Sequence, residues 1–202
     1  MKKMDELAIY KKYLYPIIFS LFYVGGFSVY YLFIGDWEFL WYVAVMIFFI
    51  CLIIGTIKYT KLSLLAVWGL CLWGLLHMAG GGLVVGEEVL YAYRIFPFLD
   101  LGGEFYILKF DQVVHVFGFA VATLVMYEIV VSKWVGSRNL LIFVVVLTGM
   151  GLGVINEIVE FIAVVIFPET GVGGYYNTLL DLIFNTLGSI MVATYLCFKK
   201  HI

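Results

Sequence analysis

Glu157 and Glu160 stand one helical turn apart inside an apolar run, and Asp181 and Asn185 stand one turn apart near the start of the next. Upstream, Asp111 and His115 share the same i,i+4 relation, and His77 lies near the end of an earlier apolar run. A charged side chain in hydrocarbon costs roughly 2.5–3.5 kcal/mol on insertion scales unless it is paired or faces a cavity. A chain that keeps this many acids in apolar surroundings either uses them or binds them to one another.

Carboxylates and imidazoles brought together can hold a divalent cation. Mixed sets suit Zn, Mn or Fe, and oxygen-rich subsets suit Mg or Ca. In that reading Asp111, His115, Glu157 and Asp181 are ligands, Glu160 with Glu157 supplies acid/base chemistry, and His77 and Asn185 orient the others. The E-x-x-E and D-x-x-x-H pairs share the logic of carboxylate metal sites in helix bundles without repeating their Glu-x-x-His motif. A bound metal could activate water for hydrolysis. Without a metal, close carboxylates could share a proton and act as general acid and base. The same groups could relay protons or cations, or serve only as hydrogen-bonding glue between helices.

The elements that must position these groups are long and apolar. The 202 residues are 64% hydrophobic and 13% charged, with a mean hydropathy of +1.07. A soluble domain carries about 25% charged residues. The apolar runs reach the roughly 18 residues or more that a helix needs to cross a bilayer. The expected fold class is all-α: one polytopic integral membrane domain over residues 1–202, with spans at about 16–34, 39–57, 62–80, 111–131, 140–167 and 178–198. The basic start, MKKMDELAIYKKYLYP, precedes a full-length span with no A-x-A cleavage pattern, so it reads as a retained first span. A short turn, Asp36–Glu38, joins the first two spans, and Pro168 ends the fifth.

Lysine and arginine placement sets the orientation. Lys2, Lys3, Lys11, Lys12, Lys58, Lys61, Lys133, Arg138, Lys199 and Lys200 fall on one side of a six-span arrangement, against Arg94 and Lys109 on the other. Both termini are therefore expected in the cytoplasm of a cell whose inner or plasma membrane holds the chain. The loop 81–109 and the PETGVGGYYN turn then face outward. With that topology His77, Asp111, His115, Glu157, Glu160, Asp181 and Asn185 reach similar depth in the outer half of the bilayer. Gly118, Ala122, Gly149, Gly153 and Gly188 continue the polar stripes, and small residues let helices approach closely. The stripes therefore point into the bundle, and the loop 81–109 could cover the resulting pocket as a lid.

Other features have plainer readings. Cys51, Cys71 and Cys197 lie in apolar runs and read as small hydrophobes. Nothing forms a basic patch, so nucleic acid is not an expected partner. Glu128, near the inner end of its span, should snorkel or pair, Asn156 could pair with Glu160, and Glu87 and Glu88 should be solvated. Gly171–Gly174 reads as a flexible turn or an anion nest, and Asn177 or Thr178 as a helix cap.

Four segments also carry a resemblance. LHMAGG (76–81), FDQVVHVFGF (110–119), NEIVEF (156–161) and YYNTLLDLIFNTLG (175–188) resemble the YjdF-like inner-membrane proteins. The order D-x-x-x-H, E-x-x-E, D-x-x-x-N is similar to that of the more distant VanZ-like proteins, linked to teicoplanin resistance. The resemblance implies a polytopic membrane fold and draws attention to the same seven residues. Three functional classes follow. The leading one is an outward-opening pocket that binds a divalent metal and binds or acts on a lipid-like or small amphiphilic envelope molecule. The second is a small ion- or proton-coupled transporter, and the third is a non-catalytic membrane scaffold. The lipid bilayer is a partner in all three, and the oligomeric state is left open.

Overall fold

A computed structural model describes residues 10–103, 105–167 and 173–199. Lys2, Lys3, Glu104, Pro168, Gly171 and Lys200 lie outside the described residues, so the chain stop at Pro168 and part of the charge pattern do too. Six helices carry the fold: α1 Leu14–Ile34, α2 Trp37–Thr60, α3 Leu64–Gly82, α4 Phe110–Val131, α5 Arg138–Ile166 and α6 Tyr175–Phe198. All six are long and apolar enough to cross a membrane, and 22–44% of each most apolar window is buried inside the protein. The majority of that apolar surface therefore faces outward, as expected of a helix solvated by lipid rather than by a protein core.

The helix boundaries follow from capping. Asp36 accepts a hydrogen bond from Phe39 N at 3.0 Å, so α2 already includes Trp37 and Glu38, which the sequence reading placed in a turn. Ser63 caps α3 through Ala66 N, and Ser137 caps α5 through Leu140 N. The expected cap of α6 is corrected: Gly174 occupies the N-cap position, and Asn177 lies inside the first turn with its side chain committed elsewhere.

The segment between α3 and α4 is more ordered than a plain loop. Strand β1 (Val84–Val85) pairs antiparallel with β2 (Glu88–Val89) across Gly86, whose φ of +69° suits glycine. A 3-10 turn, Leu90–Ala92, follows. Strand β3 (Arg94–Gly102) then pairs antiparallel with β4 (Phe105–Lys109), in a register that runs from Arg94 opposite Lys109 to Gly102 opposite Phe105. Gly102 and Gly103 take φ of +84° and +58°, the left-handed geometry that tight hairpin connections need. Strand β4 leads straight into α4, and buried Gln112 fixes the junction. Its Oε1 accepts from Leu108 N at 3.0 Å and Lys109 N at 3.1 Å, and its Nε2 donates to Tyr106 O at 2.9 Å.

Helices α4, α5 and α6 pack against one another, α3 joins this trio to α1, and α2 packs on α1 and α3. The small-residue stripes lie at these contacts. A side chain on Gly188 would meet the backbone of Val116 and Ala120, one on Gly153 would meet Asn185, and one on Gly149 would meet Thr123 and Ser189. Gly118 faces Trp73 on α3. Near the far end of α4, Glu128 accepts from Ser63 N at 2.8 Å and Ser63 Oγ at 2.7 Å, so it pairs rather than snorkels. Glu87 and Glu88 are exposed. Cys71 is buried, and Cys51 and Cys197 lie on the outer surface of the bundle.

Candidate functional site

His115 is the centre of the polar cluster. It sits on the α4 face that α5 and α6 cover, with Phe119 stacked along it at 6.2 Å between ring centroids. The first turn of α4 places Asp111 one turn before it, Oδ1 at 3.3 Å from Nε2. Helix α6 brings Asp181 Oδ1 to 3.9 Å from the same nitrogen. On the other side of the ring, Asn185 Oδ1 lies 2.8 Å from Nδ1, and Glu157 Oε1 of α5 lies 4.0 Å from it.

Asn185 turns Nδ2 toward Glu157 Oε1, at 3.4 Å. Its Oδ1 then faces the ring, so His115 Nδ1 carries the hydrogen and donates. Nε2 is left facing Asp111 and Asp181, as a lone pair in the neutral ring or as an N–H donor in the protonated one. Asp111 Oδ1, His115 Nε2 and Asp181 Oδ1 thus meet at one place, where the Nε2 position can hold a cation when the ring is neutral and a proton otherwise.

The outer contacts of the acids are equally specific. Asp181 is 1% exposed. Its Oδ2 accepts from Asn177 Nδ2 at 2.6 Å, while its Oδ1 has no hydrogen-bond partner among the described residues. Asn177 Oδ1 in turn accepts from Lys109 Nζ at 3.4 Å. Glu160 Oε1 accepts from Asn156 Nδ2 at 2.7 Å, the pairing expected from their i,i+4 spacing. Two groups have ligand atoms within 4.8 Å of one another: Asp111, His115 and Asp181, and His115, Glu157 and Glu160. Four carboxyl groups around one imidazole can all ionise only with added positive charge, because low-dielectric surroundings make unpaired charge costly.

Six of the seven residues singled out in the sequence therefore come together: Asp111, His115, Glu157, Glu160, Asp181 and Asn185. His77 does not join them. Its Nδ1 is hydrogen-bonded to the Tyr91 hydroxyl at 2.5 Å, and the rings of Phe39, Tyr42, Trp73 and Tyr91 surround it at 5.4–6.4 Å. Tyr91 belongs to the 3-10 turn, and burial pushes its phenol well above the usual range. Between His77 and His115 lies a cavity of about 370 Å³. Asp111, His115, Glu160, Tyr42, Trp73 and His77 line it, and Asp36, Glu38, Lys109 and Asn177 are also part of its lining. Val89, Tyr91 and Ala92 line it as well, so the segment between α3 and α4 contributes to its wall. Asp181, Glu157 and Asn185 stand behind His115, out of the cavity lining.

Sequence reasoning missed Tyr42, Tyr91 and Asn177. The i,i+4 rule that picked out Asp111 and His115 applies equally to Asn177 and Asp181, so that signal was present. Tyr91 reaches His77 across 14 positions, which no helical spacing encodes. The model of a family described as "Predicted membrane protein (DUF2238)" matches residues 14–201. No curated protein and no solved structure matches the chain.

Proposed function

The chain belongs to this family of predicted membrane proteins, DUF2238, and from that premise we propose that its pocket holds a divalent cation and binds or acts on an amphiphilic envelope molecule. The observation that carries the reading is the convergence of ligand atoms of Asp111, His115 and Asp181 within 4.8 Å of one another, with Asn185 holding the far side of the ring. Metal-binding imidazoles are commonly held this way, through the nitrogen that does not bind the metal. The donor set fits the group: two carboxylate oxygens and one imidazole nitrogen suit Zn, Mn or Fe, with Mg less favoured.

Asp111, His115 and Asp181 are the ligands in this reading. Glu157 acts through Asn185, and Glu160, on the cavity wall, is the acid/base group. The cation, when bound, would supply Lewis acidity toward an oxygen of the guest or of water. We further assign cytoplasmic termini, an outward-facing pocket and a place in the inner or plasma membrane, on the lysine and arginine bias. The motif likeness to YjdF-like and VanZ-like proteins supports the same choice of residues.

Elemental analysis of the purified protein tests the proposal. After chelation and reloading in turn with Zn²⁺, Mn²⁺, Fe²⁺ or Mg²⁺, we expect about one ion per chain for at least one metal. Substoichiometric content with all four would overturn the cation reading.

A second reading, ion- or proton-coupled transport, draws on one observation. Lys109, Asn177 and Asp181 form one hydrogen-bonded string and His115, Asn185 and Glu157 another, and the two approach to 3.9 Å between Asp181 Oδ1 and His115 Nε2. It expects cation-dependent flux in liposomes that Glu160→Gln abolishes, whereas the enzyme reading expects turnover in detergent with no gradient.

A further inference from the structure

The aromatic part of the cavity lining has its own chemistry. Phe39, Tyr42, Trp73 and Tyr91 crowd around His77, with Phe39 and Tyr42 ring centroids 5.3 Å apart. Tyr42 is 6% exposed and lines the cavity, and its hydroxyl has no hydrogen-bond partner among the described residues. A buried phenol without a partner is costly, and an occupant of the cavity can supply the missing bond. The formal charges of the lining are unbalanced as well. Asp36, Glu38 and Glu160 contribute three carboxyl groups besides the proposed ligand Asp111, against Lys109 and the imidazoles of His77 and His115.

We infer that this pocket receives a protonated primary amine, the head of the amphiphile proposed above, between Tyr42 and Glu160. The inference rests on the reading that the pocket takes an amphiphile, and it does not need the metal. Three features select the chemistry. The acidic lining excludes anionic heads. Aromatic faces attract a cation, by about 2 kcal/mol or more where water is removed. The unpartnered Tyr42 oxygen can accept an N–H, which a primary ammonium carries and a quaternary ammonium lacks, while the phenol hydrogen turns to water in the cavity. A cavity of about 370 Å³ accepts such a head and the start of its chain, not a whole lipid.

Binding to the full-length protein in detergent micelles tests this, with decylamine, decyltrimethylammonium, decyl phosphate, decanol and butylamine as probes. Decylamine is expected to bind about tenfold or more tightly than the trimethylammonium, phosphate and alcohol probes. Tyr42→Phe keeps the ring and should weaken decylamine about tenfold, to the level of decyltrimethylammonium, with the melting temperature held. Glu160→Gln should produce the same loss if Tyr42→Phe does not fold. Butylamine binding as tightly as decylamine would assign the site to a free amine. Weaker butylamine binding would assign it to a membrane-borne head. Both results keep the ammonium site. Decyl phosphate or decanol matching decylamine, or a variant with unchanged selectivity, would overturn the amine assignment and leave the amphiphile pocket standing. If no decyl probe binds, the amphiphile reading falls with it. Metal content measured on the same preparation reports on the cation separately.

Discussion

His115→Ala is expected to strip the protein of its stoichiometric cation, with affinity falling at least about a hundredfold, since the ring provides the only nitrogen among the three proposed ligands. Asn185→Ala removes no ligand and should still cost about tenfold to a hundredfold, because the ring loses the partner that fixes its hydrogen on Nδ1. Thermal unfolding in detergent provides a second readout. A metal at about 100 times its Kd should stabilise the wild type by about 2.7 kcal/mol and leave His115→Ala unmoved. If the cluster were only glue between helices, His115→Ala would lower the melting temperature while added metal shifted neither protein. That outcome would remove the cation from the account.

Gly188→Val should be the most damaging substitution that touches no ligand. A Cβ there would run into the carbonyl oxygen of Val116 and lie 2.9 Å from Ala120 N, both backbone atoms of α4. Backbone inside a helix cannot rotate aside as a side chain can, so α4 and α6 must separate. Overpacking of this kind costs about 1–3 kcal/mol. The same movement draws Asp181 and Asn185 of α6 away from His115 of α4. We therefore expect a lower melting temperature together with weakened cation binding. Gly151→Ala is the control, because a Cβ there meets nothing within 4 Å. Equal losses for the two variants would show that helix separation is not the cause.

The six spans were legible because length and hydropathy alone decide whether a segment can satisfy its backbone inside hydrocarbon. Their ends were less so. Trp37 and Glu38 looked like a turn because they are polar or amphipathic, yet the Asp36 carboxylate on Phe39 N starts the helix there. The site was legible through i,i+4 spacing, which turns chain position into a shared face and found Asp111 with His115 and Asp181 with Asn185. The same logic stops at the helix end. His77 was grouped with the acids for its depth, but its partner Tyr91 comes from a turn, and the two hairpins that carry this turn have no helical period to read. Asn177 was taken for a cap because asparagine caps well. Its amide donates to Asp181 instead, a preference that only the neighbouring acid could reveal.

The imidazole at the heart of the bundle is claimed from both sides, by Asp111 with Asp181 and by Glu157 with Glu160. When neutral it has one lone pair to give, and the contact with Asn185 Oδ1 turns that pair toward Asp111 and Asp181. Occupancy is therefore exclusive. To serve the Glu157 and Glu160 side, the ring must surrender its hydrogen bond to Asn185, change tautomer and abandon the opposite pair. A single histidine thus makes the two acidic pairs rivals, and the amide of Asn185 is the arbiter between them.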